Sequence, residues 1–128
     1  MVQLDLEDPQ KTFQEQTLNN FLKLDFEKAL EVYERTGQDH PTLTNEFDLN
    51  SLGYVFLGQE SYDKALKLFR ANVQKYPQSA NVYDSLGEAY FVNGDLELAM
   101  ENYKKALVLD PTSENAMHMI SIITNRQR

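Results

Sequence analysis

Displaced by 34 residues against itself, the chain sets Leu52-Gly53 on Leu86-Gly87, Phe56 on Tyr90, Ala65 on Ala99, Phe69 on Tyr103 and Pro77 on Pro111. Five kinds of special residue recur in register. Recurrence at a period of about 20–50 residues marks an array of supersecondary units, each too small to bury an apolar face alone. A stack of repeats is therefore expected. Five glycines and four prolines fall at intervals rather than in clusters, which suits a few helices and argues against many short strands and turns.

Each matched residue has a physical task. Gly53 and Gly87 let the second helix of a pair approach the backbone of the first, and that contact offsets the ~1 kcal/mol a glycine costs inside a helix. Ala65 and Ala99 are small for the same reason on the opposing helix. Phe56, Tyr90, Phe69 and Tyr103 fill the space between helices and between units. Pro77 and Pro111 end one helix and steer the chain into the next, because the residue before a proline is pushed out of the α region.

A weaker first unit is visible from its second helix. Asp25-Phe26-Glu27-Lys28-Ala29-Leu30 parallels Ser61-Tyr62-Asp63-Lys64-Ala65-Leu66, with Tyr33 against Phe69 and Pro41 against Pro77, at an offset of 36. The two extra residues lie in the Pro41–Phe47 connection. The first helix of this unit has Gln16-Thr17 in place of Leu-Gly, with Phe13, Phe21 and Leu22 as its candidate buried face. After Pro111, Glu114–Asn125 reads as the first helix of an uncompleted unit. Its Ala116, Met117 and Ile120 stand where Val82, Tyr83 and Leu86 stand one period earlier, and are expected to face inward. A closing helix of this kind covers the last apolar face of a stack. The expected helices span about 10–23, 26–36, 46–58, 62–75, 80–92, 96–108 and 114–125. The expected organisation is an acidic extension over 1–9, repeats over 10–43, 46–79 and 80–113, a closing helix over 114–125 and a tail over 126–128.

Composition narrows the function. Hydrophobic residues at 41% and charged residues at 25% are those of a folded domain, not of a disordered chain. The net charge is −8, with six acids and two bases in residues 80–113 and no strongly basic segment. That balance argues against nucleic acid or an anionic membrane as partner, since both are held through Lys and Arg. No apolar stretch approaches the ~20 residues of a membrane span, and MVQLDLEDPQ is acidic rather than a basic and apolar leader. The absence of cysteine excludes disulfides and thiolate metal sites and leaves the compartment open. His40 and His118 lack the i,i+4 spacing of a helical zinc site, and there is neither a G-x-S-x-G elbow nor a phosphate-cradling glycine loop. No metal, no cofactor and no enzymatic activity are expected of this chain.

The last full repeat reads Tyr83-x2-Leu86-Gly87-x2-Tyr90, Ala99-x3-Tyr103, Ala106, Pro111. The middle one reads Leu49-x2-Leu52-Gly53-x2-Phe56, Ala65-x3-Phe69, Asn72, Pro77. These residues resemble the tetratricopeptide-repeat (TPR) family, whose loose signature is Trp-x2-Leu-Gly-x2-Tyr, then Ala-x3-Phe, then Pro. Asn72 departs from the small residue found at Ala106. The resemblance covers about residues 10–125 and implies an all-α fold, a right-handed α-solenoid of about three helix-turn-helix repeats plus a C-terminal closing helix. It also implies a non-catalytic module that binds a peptide or partner segment in a concave groove. The wording of Asn81–Tyr90 and Asn93-Gly94-Asp95 is similar, more weakly, to repeats appended to some bacterial beta-lactamase-like serine hydrolases. That alternative implies an accessory or docking domain, and a periplasmic rather than a default cytoplasmic setting.

In the TPR arrangement the first helices of successive repeats line the groove. The resemblance assigns to it Asn50, Tyr54, Leu57 and Gly58, then Asp84, Glu88, Phe91 and Val92, and from the closing helix His118 and Ile122. Some relatives hold the C-terminal carboxylate of heat-shock chaperones with Lys, Asn and Arg on these helices. Here the corresponding positions are Gln14, Leu18, Asn50, Tyr54, Asp84 and Glu88, without one base. A basic or apolar peptide is therefore expected rather than an acidic tail. The plainer reading of Asp84 and Glu88 is a solvated acidic stripe. Met119, Ile122 and Ile123 widen the apolar surface of the closing helix, so a homodimer or a neighbouring domain is expected to cover it.

Overall fold

The Asp8 carboxylate accepts a hydrogen bond from the Lys11 backbone N–H at 3.0 Å, and Pro9 stands at the first helical position. These two signals open α1 (Pro9–Lys23) in the computed structural model, which describes residues 8–127; the expected extension over 1–9 lies mostly outside them. Asp25 accepts from the Lys28 N–H at 3.3 Å and opens α2 (Phe26–Asp39). This helix runs three residues past its expected end at 36. His40, directly before Pro41, is the first residue to leave the helical region, with φ −135°, as the steric demand of the proline ring requires. The longer connection that follows contains one 3₁₀ turn, Pro41–Leu43. Then come α3 (Glu46–Gly58), α4 (Tyr62–Lys75), α5 (Ala80–Asn93), α6 (Leu96–Leu109) and α7 (Glu114–Arg126). The fold is an all-α helical repeat, without a strand among the described residues.

The chain forms two compact units, Met1–Asp48 and Leu49–Arg128, divided within α3. In the first, Phe13, Phe21, Phe26, Ala29 and Tyr33 are buried. Phe13 stacks on Tyr33 with ring centroids 5.8 Å apart, and Phe21 meets Phe26 edge-on at 5.6 Å. Leu22, expected on the buried face of α1, is exposed; Thr12 and Thr17 are buried instead. Asp48, only 9% exposed, ties this unit together. Its carboxylate accepts from the Tyr33 hydroxyl at 3.0 Å, the Asn45 N–H at 3.0 Å and Gln14 Nε2 at 3.2 Å. The Asn45 side chain in turn accepts from the Phe47 N–H at 2.9 Å, so the two side chains satisfy donors at the start of α3.

In Leu49–Arg128, the repeat register explains the packing. Gly53 faces Phe69 so closely that a β-carbon there would lie 2.5 Å from the ring, and one on Gly87 would lie 3.2 Å from the Tyr103 ring. Both aromatics, with Ala65, Ala99 and Ala106, are essentially inaccessible. Gly94 ends α5 with φ +91°, a left-handed conformation that glycine adopts without a β-carbon penalty. On α7 the buried residues are Ala116 and Ile123, not the expected Ala116, Met117 and Ile120. Met117 is 46% exposed and Ile120 half-exposed. The reason lies in the equivalence itself. Lys105 of α6 lies over the ring of the half-buried Tyr83, and no helix follows α7 among the described residues to cover Met117 in the same way.

Candidate functional site

Because 34 residues separate equivalent positions, Asn50 and Tyr54 on α3 are repeated by Asp84 and Glu88 on α5, and by His118 and Ile122 on α7. Hydrogen bonds join these helices. Ser85 Oγ donates to Asn50 Oδ1 at 2.5 Å and lies 3.3 Å from the Tyr54 hydroxyl, which donates to it. Asn115 Nδ2 donates to Asp84 Oδ1 at 2.8 Å. The Tyr54 ring stands edge-on to Phe69 with centroids 5.2 Å apart and remains 38% exposed. Leu57, Phe91 and Ile122 are half-exposed, while Gly58, Val92 and His118 are exposed. The guanidinium of Arg126 lies 4.7 Å from the centre of the Phe91 ring, within cation–π range.

The electrostatics follow from this crowding. Neither Asp84 nor Glu88 has an ion-pair partner among the described residues. Burial raises the Asp84 carboxyl above its ordinary value; the Asn115 hydrogen bond opposes the rise and the Glu88 charge adds to it. Burial likewise holds the Tyr54 phenol well above its usual range, partly offset by Ser85 and reinforced by Glu88 and Asp84. The Tyr103 phenol is raised by burial first and then by Asp84, Glu88 and Tyr54. Asp84 and Glu88 are thus half-buried carboxylates that no cation among the described residues pairs with.

Of the ten residues assigned to the groove from the sequence, Asn50, Tyr54, Asp84 and Glu88 enter this interacting set, while Gly58 and Val92 are exposed. Phe91 takes part through its ring, and Leu57, Ile122 and His118 stand outside the hydrogen bonds. Ser85, Asn115, Tyr103 and Arg126 were not assigned to the groove. For Ser85 and Asn115 the usable signal was adjacency to groove positions. For Tyr103 it was the hydroxyl that its equivalent Phe69 lacks.

Residues 50–114, just over half of the chain, match the sequence profile of the tetratricopeptide repeat. The chain belongs to the tetratricopeptide-repeat family. The protein bimA of Emericella nidulans is 28% identical over 89 residues, covering 70% of this chain and 11% of that protein. The peroxisomal targeting signal receptor of Candida albicans is 26% identical over 123 residues, covering 74% of this chain and 21% of the receptor. This TPR chain therefore spans a small part of the curated relatives it matches. Among solved structures, the first TPR of Spaghetti (RPAP3) bound to the HSP90 peptide SRMEEVD superposes with a TM-score of 0.67 at 17% identity, over 99% of this chain and 98% of that one. At that identity the likeness is one of fold.

Proposed function

We propose that the chain is a non-catalytic protein-interaction module that holds a peptide or partner segment along Asn50, Tyr54, Leu57, Asp84, Glu88, Phe91, His118 and Ile122, and prefers a basic or apolar segment to an acidic tail. Membership of the TPR family and a structural neighbour bound to a peptide support the general reading. The single observation that carries the preference is the pair Asp84 and Glu88, partly buried and without a cation. A peptide carboxylate placed there meets like charge in a partly desolvated setting, whereas an ammonium or guanidinium gains charge-assisted hydrogen bonds.

Fluorescence anisotropy with SRMEEVD and with an analogue whose three acids are lysines tests this reading. The basic peptide is expected to bind at least about tenfold more tightly at low salt, and to lose that advantage as salt shortens the screening length from roughly 10 Å toward 3 Å. Tight, salt-sensitive capture of SRMEEVD contradicts the proposed preference.

A further inference from the structure

We propose that α7 pairs with α7 of a second copy of this chain, antiparallel across a two-fold axis, through the face formed by Met117, Ile120, Ser121 and Thr124. The pairing is independent of the peptide-binding reading above.

The repeats compared with one another show that this face is made to receive a helix. Ile120, Ser121 and Thr124 stand where Leu86, Gly87 and Tyr90 stand on α5, and where Leu52, Gly53 and Phe56 stand on α3. On α5 that face is closed. Leu86 and Tyr90 are 5% and 6% exposed, and Gly87 is buried against the Tyr103 ring of α6. On α7 the same positions are open. Ser121 is exposed, Ile120 and Thr124 are half-exposed, and Met117 beside them is 46% exposed. No helix follows α7 among the described residues. At about 100° of rotation per residue, Met117, Ile120, Ser121 and Thr124 share one arc of about 100°. No charged residue among the described ones lies within it. A small residue, Ser121, stands near its centre, where α3 and α5 have glycine.

The pattern of the face argues for a second copy as its occupant. In an antiparallel pair centred between Ile120 and Ser121, each Ile120 meets Ser121 of the second copy and each Met117 meets Thr124, so every large side chain lies over a small one. The Thr124 hydroxyl donates to the Ile120 carbonyl at 2.7 Å within its own helix, and covering it leaves no donor unsatisfied. Charge points the same way. The whole chain carries −8, which keeps copies apart, but residues 114–128 hold one acid and two bases, so two copies approach there without repulsion. Glu114 lies in the first turn of α7 and Arg126 in the last. An antiparallel pair brings each acid to the basic end of the other helix, whereas a parallel pair sets like charges side by side. His118 and Ile122 lie outside the arc, so each copy keeps its groove, and a partner with two binding segments is held with avidity. One 13-residue helix per copy is at the small end of specific interfaces, about 1,200 Å² or less in total, so the dimer is weak.

Sedimentation equilibrium of the 128-residue chain tests the pairing, over concentrations bracketing an expected Kd on the order of 10–100 μM. The apparent mass is expected to rise from 14.8 kDa toward twice that value as concentration increases. Met117→Glu and Thr124→Lys should each leave the melting temperature of the dilute chain near that of the parent. Each should weaken self-association at least about tenfold, because the pair would then cover a charge without a partner. An equimolar mixture of the two variants should associate again, since antiparallel pairing sets the new carboxylate of one against the new ammonium of the other. A parent that stays monomeric throughout overturns the proposal, and the face then serves another protein or a further segment of chain. Self-association that neither substitution weakens places the contact elsewhere and overturns it equally. Weakening by both without recovery in the mixture overturns the antiparallel pairing.

Discussion

Gly53→Leu is expected to abolish cooperative folding of Leu49–Arg128, and Gly87→Leu to weaken it markedly. The two glycines hold equivalent positions, yet their surroundings differ. A first side-chain carbon on Gly53 meets the Phe69 ring at 2.5 Å, which nothing tolerates without movement, and Phe69 is fully enclosed and has nowhere to go. At Gly87 the same carbon meets the Tyr103 ring at 3.2 Å, a contact that a shift of a few tenths of an ångström relieves. Overpacking typically costs about 1–3 kcal/mol, so Gly87→Leu falls in or above that range and Gly53→Leu exceeds it. The alanine variants separate further. Gly87→Ala gains about 1 kcal/mol of helix propensity against a small steric cost, whereas Gly53→Ala remains destabilising. Circular-dichroism melts give the order directly. Melts of both leucine variants that match the parent contradict the assigned register.

Asp48→Ala is expected to destabilise Met1–Asp48 by about 2–4 kcal/mol, because a buried acceptor shared by three donors is removed and those donors stay behind. The next repeat shows how the loss is repaired. There the aromatic is Phe69 and the matching residue Val82, an apolar pair in place of Tyr33 and Asp48. Asp48→Val alone leaves the Tyr33 hydroxyl without its acid, while Tyr33→Phe with Asp48→Val recreates the apolar pair. The double variant is expected to recover at least about 1 kcal/mol relative to Asp48→Val, a coupling that a double-mutant cycle in denaturant measures. Strict additivity of the two single changes contradicts the role given to this network.

These two predictions also show which parts of the molecule a self-comparison of the sequence reaches. Residues that recur, such as Gly53 with Gly87 and Phe69 with Tyr103, announce both their position and their task, because close helix contact restricts the choice of residue. Helix positions followed from them almost to the residue. Departures from the repeat are harder to read. Asp48 aligns with Val82 and Ala116, so it looks like a lapse in an apolar position; only the three-dimensional meeting with Tyr33, Asn45 and Gln14 gives it a purpose. Met117 misled in the opposite way. Its alignment with Tyr83 is correct, but Tyr83 is itself only half-buried, with Lys105 of α6 over its ring, and no helix follows α7 among the described residues to do the same. Leu22 was assigned to a buried face on hydropathy alone, and α1 buries Thr12 and Thr17 at its expense.

In the groove, residue types were legible and their state was not. Asp84 and Glu88 stood out as acids at positions where related clamps carry bases. Partial burial, which turns an acidic stripe into an electrostatic demand, depends on the side chains of three helices.

The central claim is that the face built from α3, α5 and α7 within Leu49–Arg128 receives a cationic segment. The most direct measurement is a titration of the isotope-labelled chain with the lysine analogue of SRMEEVD, followed by backbone amide chemical shifts. The account predicts saturable shifts centred on Tyr54, Asp84, Glu88, Phe91 and Asn115, reduced at high salt and in Glu88→Gln. Shifts centred instead on α1 and α2, or an equal response at the same residues to SRMEEVD, contradict it.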